Sequence, residues 1–466
     1  MAQKTRHSAK LDQLPVQIVG LLREIGVLGD QRGCHVYVVG GAVRDLLLGQ
    51  MTLDLDLAVE GDGIAFARAV ADRYRAGLVV FERFATARLV FPDGLKMDIA
   101  TTRRESYAEP AFLPTVQRAS IKEDLYRRDF TINAIAMHLN PGEFGRRLDV
   151  YGGRHDLRAG RIRVLHVGSF QDDPTRIFRA IRFEQRFRFH LESSTLRLLR
   201  QAASMNLIQQ LSGPRLQNEI LVLFAERDPV RAIARLAGLK LLRFLHGRLR
   251  YTADVKRVVL ALPKALAWWG KQFPDVVIDR TSVYLMALSS ASSPVVIAAI
   301  IKRLACSREQ SRKLSAGGKQ ADRILKRLTD RGALRPSQVY RLLVDLPSEA
   351  LVLLLAKQMS RQQATRLSLL RRYLMVYEKS RAVTTVLTGK NLQAMRLKPG
   401  PQYGIILGKL LDARIDGLIT SEVEERAFVQ EGLGAWSDCR AASRMLDKFL
   451  RTKTAKRPSS MVSREG

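Results

Sequence analysis

The run from Cys34 to Glu60 constrains this chain more than any other. "CHVYVVGG" has the texture of a buried strand that ends in glycines, "AVRDLLLG" that of a short helix, and "TLDLDLAVE" that of a second strand. Beyond it Gly63 to Ala76 has helical spacing, "LVVFE" and "TARLVFP" form a hairpin pattern, and "LKMDIATT" adds a strand. This alternation from residue 34 to about 150 predicts a compact α/β domain. The segment Thr101 to Leu125 has few core-like residues and reads as a mobile loop.

Residues i and i+2 of a strand share a face, so Asp54 and Asp56 are expected side by side, with Leu53, Leu55 and Leu57 packing the other way. Two carboxylates this close repel unless a cation lies between them. Mg²⁺ answers that need, with Mn²⁺ able to stand in, because it takes one or two carboxylates and completes its shell with water and phosphate oxygens. An isolated pair of this kind also fits a strand edge facing water, and its neighbours decide between the two. Gly40 and Gly41 end a strand just before a helix, where bare backbone amides can approach an anion, and Arg44 in the first turn can add a charged fork. Asp98 in "LKMDIATT" is a third carboxylate for the metals. Together these are the parts that metal-assisted nucleotidyl transfer requires.

From Asp173 onward the apolar spacing is helical almost throughout, with breaks at Gly213-Pro214, Asp228-Pro229, Gly247, Pro263, Pro274, Pro336, Pro347 and Gly389. No fixed-period repeat is present, which disfavours a solenoid. After a polar start, Leu11 to Gly29 forms an amphipathic helix pattern, and the last residues, "RTKTAKRPSSMVSREG", are polar, basic and expected to be disordered. The boundaries that follow are 1–32 for an N-terminal extension, 33–150 for the α/β domain, 151–250, 251–385 and 386–450 for three helical parts, and 451–466 for the basic end.

The formal charge of +32 over 466 residues comes largely from arginine spread along the chain, which points to a polyanion such as nucleic acid rather than to a localised address. No apolar run reaches the roughly 20 residues of a spanning helix, so no membrane partner is expected. Three scattered cysteines, Cys34, Cys306 and Cys439, indicate a reducing cytoplasm and leave oxygen ligands for any metal.

The stretch "GGAVRDLLLG…DLDLAVEGD" resembles the signature of class II tRNA nucleotidyltransferases and the related bacterial poly(A) polymerases, members of the polymerase-β-like superfamily. In order along the chain, "EDLYRRDFTINAIA", "DVYGGRHDLRAGRIRVL" and "DDPTRIFRAIRF" resemble the second, third and fourth motifs, and "LSGPRLQNEI" the fifth more loosely. "LTGKNLQAMRLKPGPQYGIILGKLLDARIDGLIT" resembles the small tail of the bacterial tRNA enzymes. The resemblance implies an α+β protein, with a polymerase-β-like nucleotidyltransferase head followed by an all-α neck, body and tail. It further implies addition of C and A to the 3′ acceptor end of tRNA from CTP and ATP, at a two-metal site, without a nucleic-acid template.

The resemblance assigns base reading to Asp173 and Arg176, an acceptor beside a donor. That pair matches the amino group and unprotonated ring nitrogen that cytosine and adenine share and that uracil and guanine lack. Arg179 and Arg182 would line the nucleotide pocket, and Arg128 would contact the triphosphate or base, whereas Asp129 reads as structural. The loop Thr101 to Leu125 would help the site switch between nucleotides. Poly(A) synthesis and addition of CC alone or A alone use the same head motifs. A catalytically dead RNA-binding protein would not need Asp54, Asp56, Arg44, Arg128, Asp173 and Arg176 together.

Overall fold

The computed structural model describes residues 8–431, apart from 52, 108, 110, 111, 113, 331 and 332. The basic C-terminal end expected to be disordered lies outside the described residues. The chain divides into two compact units, Met1–Gly247 with Lys302–Ala305, and Arg248–Ile301 with Cys306–Gly466.

In the first unit a 3₁₀ turn at Ser8–Gln13 precedes helix α1 (Val16–Gln31), so the expected single helix is two pieces divided at Pro15. Strand β1 (His35–Val39), helix α2 (Gly41–Leu47), strand β2 (Leu55–Glu60) and helix α3 (Gly63–Tyr74) follow. Then come β3 (Gly77–Phe81), β4 (Thr86–Val90), β5 (Lys96–Thr101), β6 (Arg103–Ser106), β7 (Thr115–Arg118), α4 (Ile121–Tyr126), β8 (Ala136–His138) and β9 (Arg147–Leu148). Seven strands form one mixed sheet in the order β3-β4-β5-β2-β1-β8-β9. The pair β2–β5 is parallel and the others are antiparallel.

The alternation of each strand decides which face is dry. Val36, Val38, Leu55, Leu57, Val59, Met97 and Ile99 are buried, and α3, which buries Phe66 and Val70, packs against β4 and β5. On the other face Tyr37, Val39 and Ala58 meet Ile121 and Leu125 of α4. The same face of β2, β5 and β4 carries Asp56, Asp98 and Arg88. Leu53 precedes β2 and is exposed, so the strand is shorter than its apolar pattern suggested and Asp54 stands just ahead of it.

The segment expected as a mobile loop contains the antiparallel pair β6–β7, registered from Arg103 opposite Arg118 to Ser106 opposite Thr115. Its strands are four residues each with Val116 as their one apolar residue, so they give no periodic hydrophobic signal. The remainder of the unit is mostly helical: α5 (Gly153–Ala159), α6 (Ser169–Asp172), α7 (Arg176–Phe187), α8 (Ser193–Ser204), α9 (Gly213–Ala225) and α10 (Pro229–Gly238). Helix α7 buries Ile177, Phe178, Ala180, Ile181 and Phe183, which fixes the direction in which its arginines emerge.

The second unit is helical among the described residues. Its central helix, Ser348–Ser360, buries Leu351 to Leu355 completely and packs against Ala253–Gln272 and Arg280–Ser289. Pro263 lies inside the helix Ala253–Gln272 instead of ending it. Towards the end Leu387, Leu392, Ile406, Leu410, Phe428 and Val429 close a separate small core. Buried Glu425 ties that core together, accepting from the backbone of Val386 and Leu387 and from Arg414. Of the two glycines in its long helix, Gly408 accepts a hydrogen bond from Arg341 whereas Gly404 faces open space.

Candidate active site

Asp56 of β2 pairs with Asp98 of β5, and Asp98 pairs with Arg88 of β4, so one row across three strands carries Asp56, Asp98 and Arg88. The carboxyl of Asp56 is pushed up to about 6, first by burial and next by the charge of Asp54, with Asp98 adding to the rise and Arg128 opposing it. A cavity of about 280 Å³ lies over the row, and its lining includes Phe81, Asp56, Arg88, Asp98, Asp124 and Arg128. Crowded, mutually repelling carboxylate oxygens are the donor set that a hard divalent ion fits. Among the described residues no three acids, histidines or cysteines are grouped as a ready metal cage. The third acid is engaged elsewhere, because Nε and Nη2 of Arg88 donate to the two oxygens of Asp98, each at 2.7 Å.

Arg128 reaches the same cavity from the end of α4. Its Nη2 donates to Asp124 at 2.9 Å, and its buried Nε has no hydrogen-bond partner among the described residues. An unsatisfied buried donor beside carboxylates suits an acceptor oxygen of a bound nucleotide. Gly40 makes this approach possible: a Cβ there would stand 2.7 Å from Nη1 of Arg128, and its φ of 71° is left-handed. Asp124 is buried and also accepts from Arg127; burial opposes its charge, and Arg128 and Arg127 outweigh burial to hold its carboxyl below the usual range. Glu105 of β6 accepts from Arg103, Arg127 and Tyr107, which fastens the hairpin to this group.

Arg44 differs from the expectation of a phosphate fork. It is buried, its Nε and Nη2 donate to Asp45 at 2.8 and 3.0 Å, and its Nη1 donates to Asn133 at 2.6 Å. The rings of Phe183 and Phe187 lie over the guanidinium, 5.2 and 4.8 Å from centroid to Cζ. Its bonds to Asp45 stay within α2, its Nη1 ties α2 to the segment after α4, and the two rings set it against α7. Sequence spacing put Arg44 in the first helical turn but could not show that this face of the turn points inward.

The side chains of Asp173 and Arg176 do not hydrogen-bond each other, although the Arg176 backbone N–H donates to the Asp173 carbonyl at 3.1 Å. Oδ1 of Asp173 accepts from the backbone and hydroxyl of Thr175 at 3.0 and 2.7 Å and from Arg215 at 2.8 Å. Arg176 is buried, with Nη1 donating to the Ser169 hydroxyl at 2.8 Å and Nη2 to the Arg127 carbonyl at 2.6 Å. The guanidinium against Asp173 is therefore Arg215, in "LSGPRLQNEI", a segment whose loose motif match was the one signal for it. Arg179 donates to Asp129 at 2.8 Å, and burial of Asp129 is overcome first by Arg179 and then by Asn133, bringing its carboxyl down to about 2. Arg182 is largely withdrawn, its Nε buried without a hydrogen-bond partner and its guanidinium 5.0 Å from the Phe183 ring.

Residues 36–163 match the family described as poly A polymerase head domain, and residues 188–249 match the probable RNA and SrmB-binding site of polymerase A. A solved CCA-adding enzyme in its apo form II is 35% identical, superposes with a TM-score of 0.79, and is matched over 92% of this chain and 99% of its own. A CCA-adding enzyme of Thermotoga maritima, solved with tRNA-CCA, is 34% identical with a TM-score of 0.74, covering 92% of this chain and 99% of its own. The A-adding tRNA nucleotidyltransferase of Geobacter sulfurreducens is 40% identical over 88% of this chain and 47% of its own length. The chain belongs to the family of CCA-adding and A-adding tRNA nucleotidyltransferases. It spans about half or less of the length of the first curated relatives that it matches. Enzymes of this family work with a divalent metal ion.

Proposed function

We propose that this protein adds C, A or both to the 3′ acceptor end of tRNA from CTP and ATP, as a cytoplasmic enzyme. The observation that carries the reading is the cavity over Asp56, where repelling carboxylates and an unsatisfied arginine donor meet in a head of this family. Asp54 and Asp56 would hold Mg²⁺, with Mn²⁺ as a substitute. The ion supplies activation of the 3′-hydroxyl and neutralisation of the triphosphate. Arg128 binds a nucleotide oxygen through its unpartnered Nε, and Gly40 keeps the space in which it does so.

The turn between α6 and α7 is the base-reading element, where Asp173 offers Oδ2 to the amino group that C and A share. Arg176 supports that turn through Ser169 and the Arg127 carbonyl, and Arg215 steadies Asp173 itself. In this reading residues 33–150 are the catalytic head, 151–250 the neck, 251–385 the body and 386–450 the tRNA-holding tail. The charge of +32 serves phosphate contacts, so affinity for RNA falls steeply as salt rises. A narrower activity, addition of A alone, is favoured by the first three curated relatives, all named A-adding tRNA nucleotidyltransferases and 40 to 43% identical.

The test uses tRNA transcripts ending before CCA, after CC and after CCA, with CTP and ATP singly and together. Growth that stops at CCA supports full addition, and extension of the CC transcript alone supports the narrower activity. Long A tails on unrelated RNA would overturn both.

A further inference from the structure

We infer that Arg88 is a positioning residue that withholds Asp98 from the metal set, so that a divalent ion meets two carboxylates instead of three. The inference rests on the reading of Asp54 and Asp56 as the ligands. Three observations carry it. Strand register places Arg88, Asp98 and Asp56 in one row on adjacent strands, which puts Asp98 within the cluster by backbone geometry alone. Both oxygens of Asp98 are nevertheless taken by Arg88, through Nε and Nη2 at 2.7 Å each. All three side chains line the same cavity, so the pair is part of the site wall.

The planar guanidinium is suited to this task. Its two parallel N–H donors satisfy a carboxylate in one fixed geometry, which an ammonium cannot reproduce. Arg88 also places a positive charge beside the acids, and that charge acts on Asp54 and Asp56 as well as on Asp98. Both effects lower the attraction of the nucleotide-free protein for a cation. The side chains of Arg88 and Asp98 are 51% and 40% exposed, so solvent screens the pair and the effect is moderate. A site with two carboxylate ligands depends on triphosphate oxygens to complete the shell of Mg²⁺, which couples metal occupancy to arrival of the nucleotide.

The experiment measures Mn²⁺ binding to the nucleotide-free full chain, from the paramagnetic resonance signal of unbound Mn²⁺, in low salt. Arg88→Gln is expected to bind Mn²⁺ roughly three- to tenfold more tightly than the parent, as a freed carboxylate and a lost cation would. Arg88→Lys, which keeps the charge without the fork, is expected to fall between them. Asp98→Asn alone is expected to stay within about twofold of the parent, and Asn added to the Arg88→Gln background to remove the gain. Arg88→Gln and Arg88→Lys that both bind no more tightly than the parent would overturn the inference, as would Asp98→Asn that alone abolishes binding. The pair Asp54→Asn with Asp56→Asn separates the two levels: binding that survives there overturns the ligand reading, whereas its loss leaves the comparison at Arg88 decisive.

Discussion

The guanidinium of Arg128 occupies the space that a side chain on Gly40 would need, with Nη1 2.7 Å from the position of a Cβ. Gly40→Ala is therefore expected to displace Arg128 and to strain a left-handed backbone by about 1 kcal/mol. Nucleotide incorporation should drop by roughly 10- to 100-fold in kcat/KM, equivalent to about 1.4–2.7 kcal/mol. Gly41 is the control, since a Cβ there meets Arg44 at an ordinary 3.5 Å. Gly41→Ala should keep kcat/KM within about threefold, and equal losses at the two glycines would count against the spatial argument.

Arg44 is buried, with its side-chain hydrogen bonds directed at Asp45 and Asn133. Arg44→Ala leaves the Asp45 carboxylate buried without its partner and should destabilise the first unit by about 3–4 kcal/mol in urea unfolding. Nucleotide affinity of the folded fraction, measured by calorimetry below the unfolding range, should change little. A large loss of affinity with no loss of stability would restore Arg44 to the phosphate.

Asp129 is charged well below the ordinary carboxylate range because Arg179 and Asn133 outweigh its burial, giving about 2. A lowered folded value means that the pair stabilises above the unfolded value of about 3.9 and loses that contribution as pH falls towards 2. Asp129→Asn should lower stability at neutral pH by about 2–3 kcal/mol, less than a fully buried pair, since a third of the Arg179 side chain is exposed. The difference in urea midpoint between parent and variant should narrow between about pH 4 and pH 2. A gap that stays constant through this range would show that Asp129 is not held ionised by Arg179.

Local pattern made the head legible. The apolar alternation of β1, β2 and β5 and the glycines before α2 place Asp56, Asp98 and Gly40 correctly, because those signals depend on neighbours two to four residues away. What the pattern could not supply were partners across the fold. Nothing in "TARLVF" says that Arg88 faces Asp98 rather than a phosphate, since strand register joins them. The inward turn of Arg44, the approach of Arg215 to Asp173, and the link from Glu105 to Arg127 are likewise set by packing between distant segments. Pro263 fits within its helix although proline usually breaks one, and the β6–β7 hairpin escaped notice because Val116 is the one apolar residue in its strands.

The central claim is that Asp54 and Asp56 carry nucleotidyl transfer to the 3′ end of tRNA. It is tested most directly by following labelled ATP and CTP into tRNA that lacks CCA, with the parent chain and with Asp54→Ala combined with Asp56→Ala. Incorporation should vanish in the double variant while its affinity for the same tRNA, measured by gel retardation, stays within about threefold, because arginines and lysines rather than these two carboxylates would make the phosphate contacts. Incorporation that persists in a folded, tRNA-binding double variant would contradict the account.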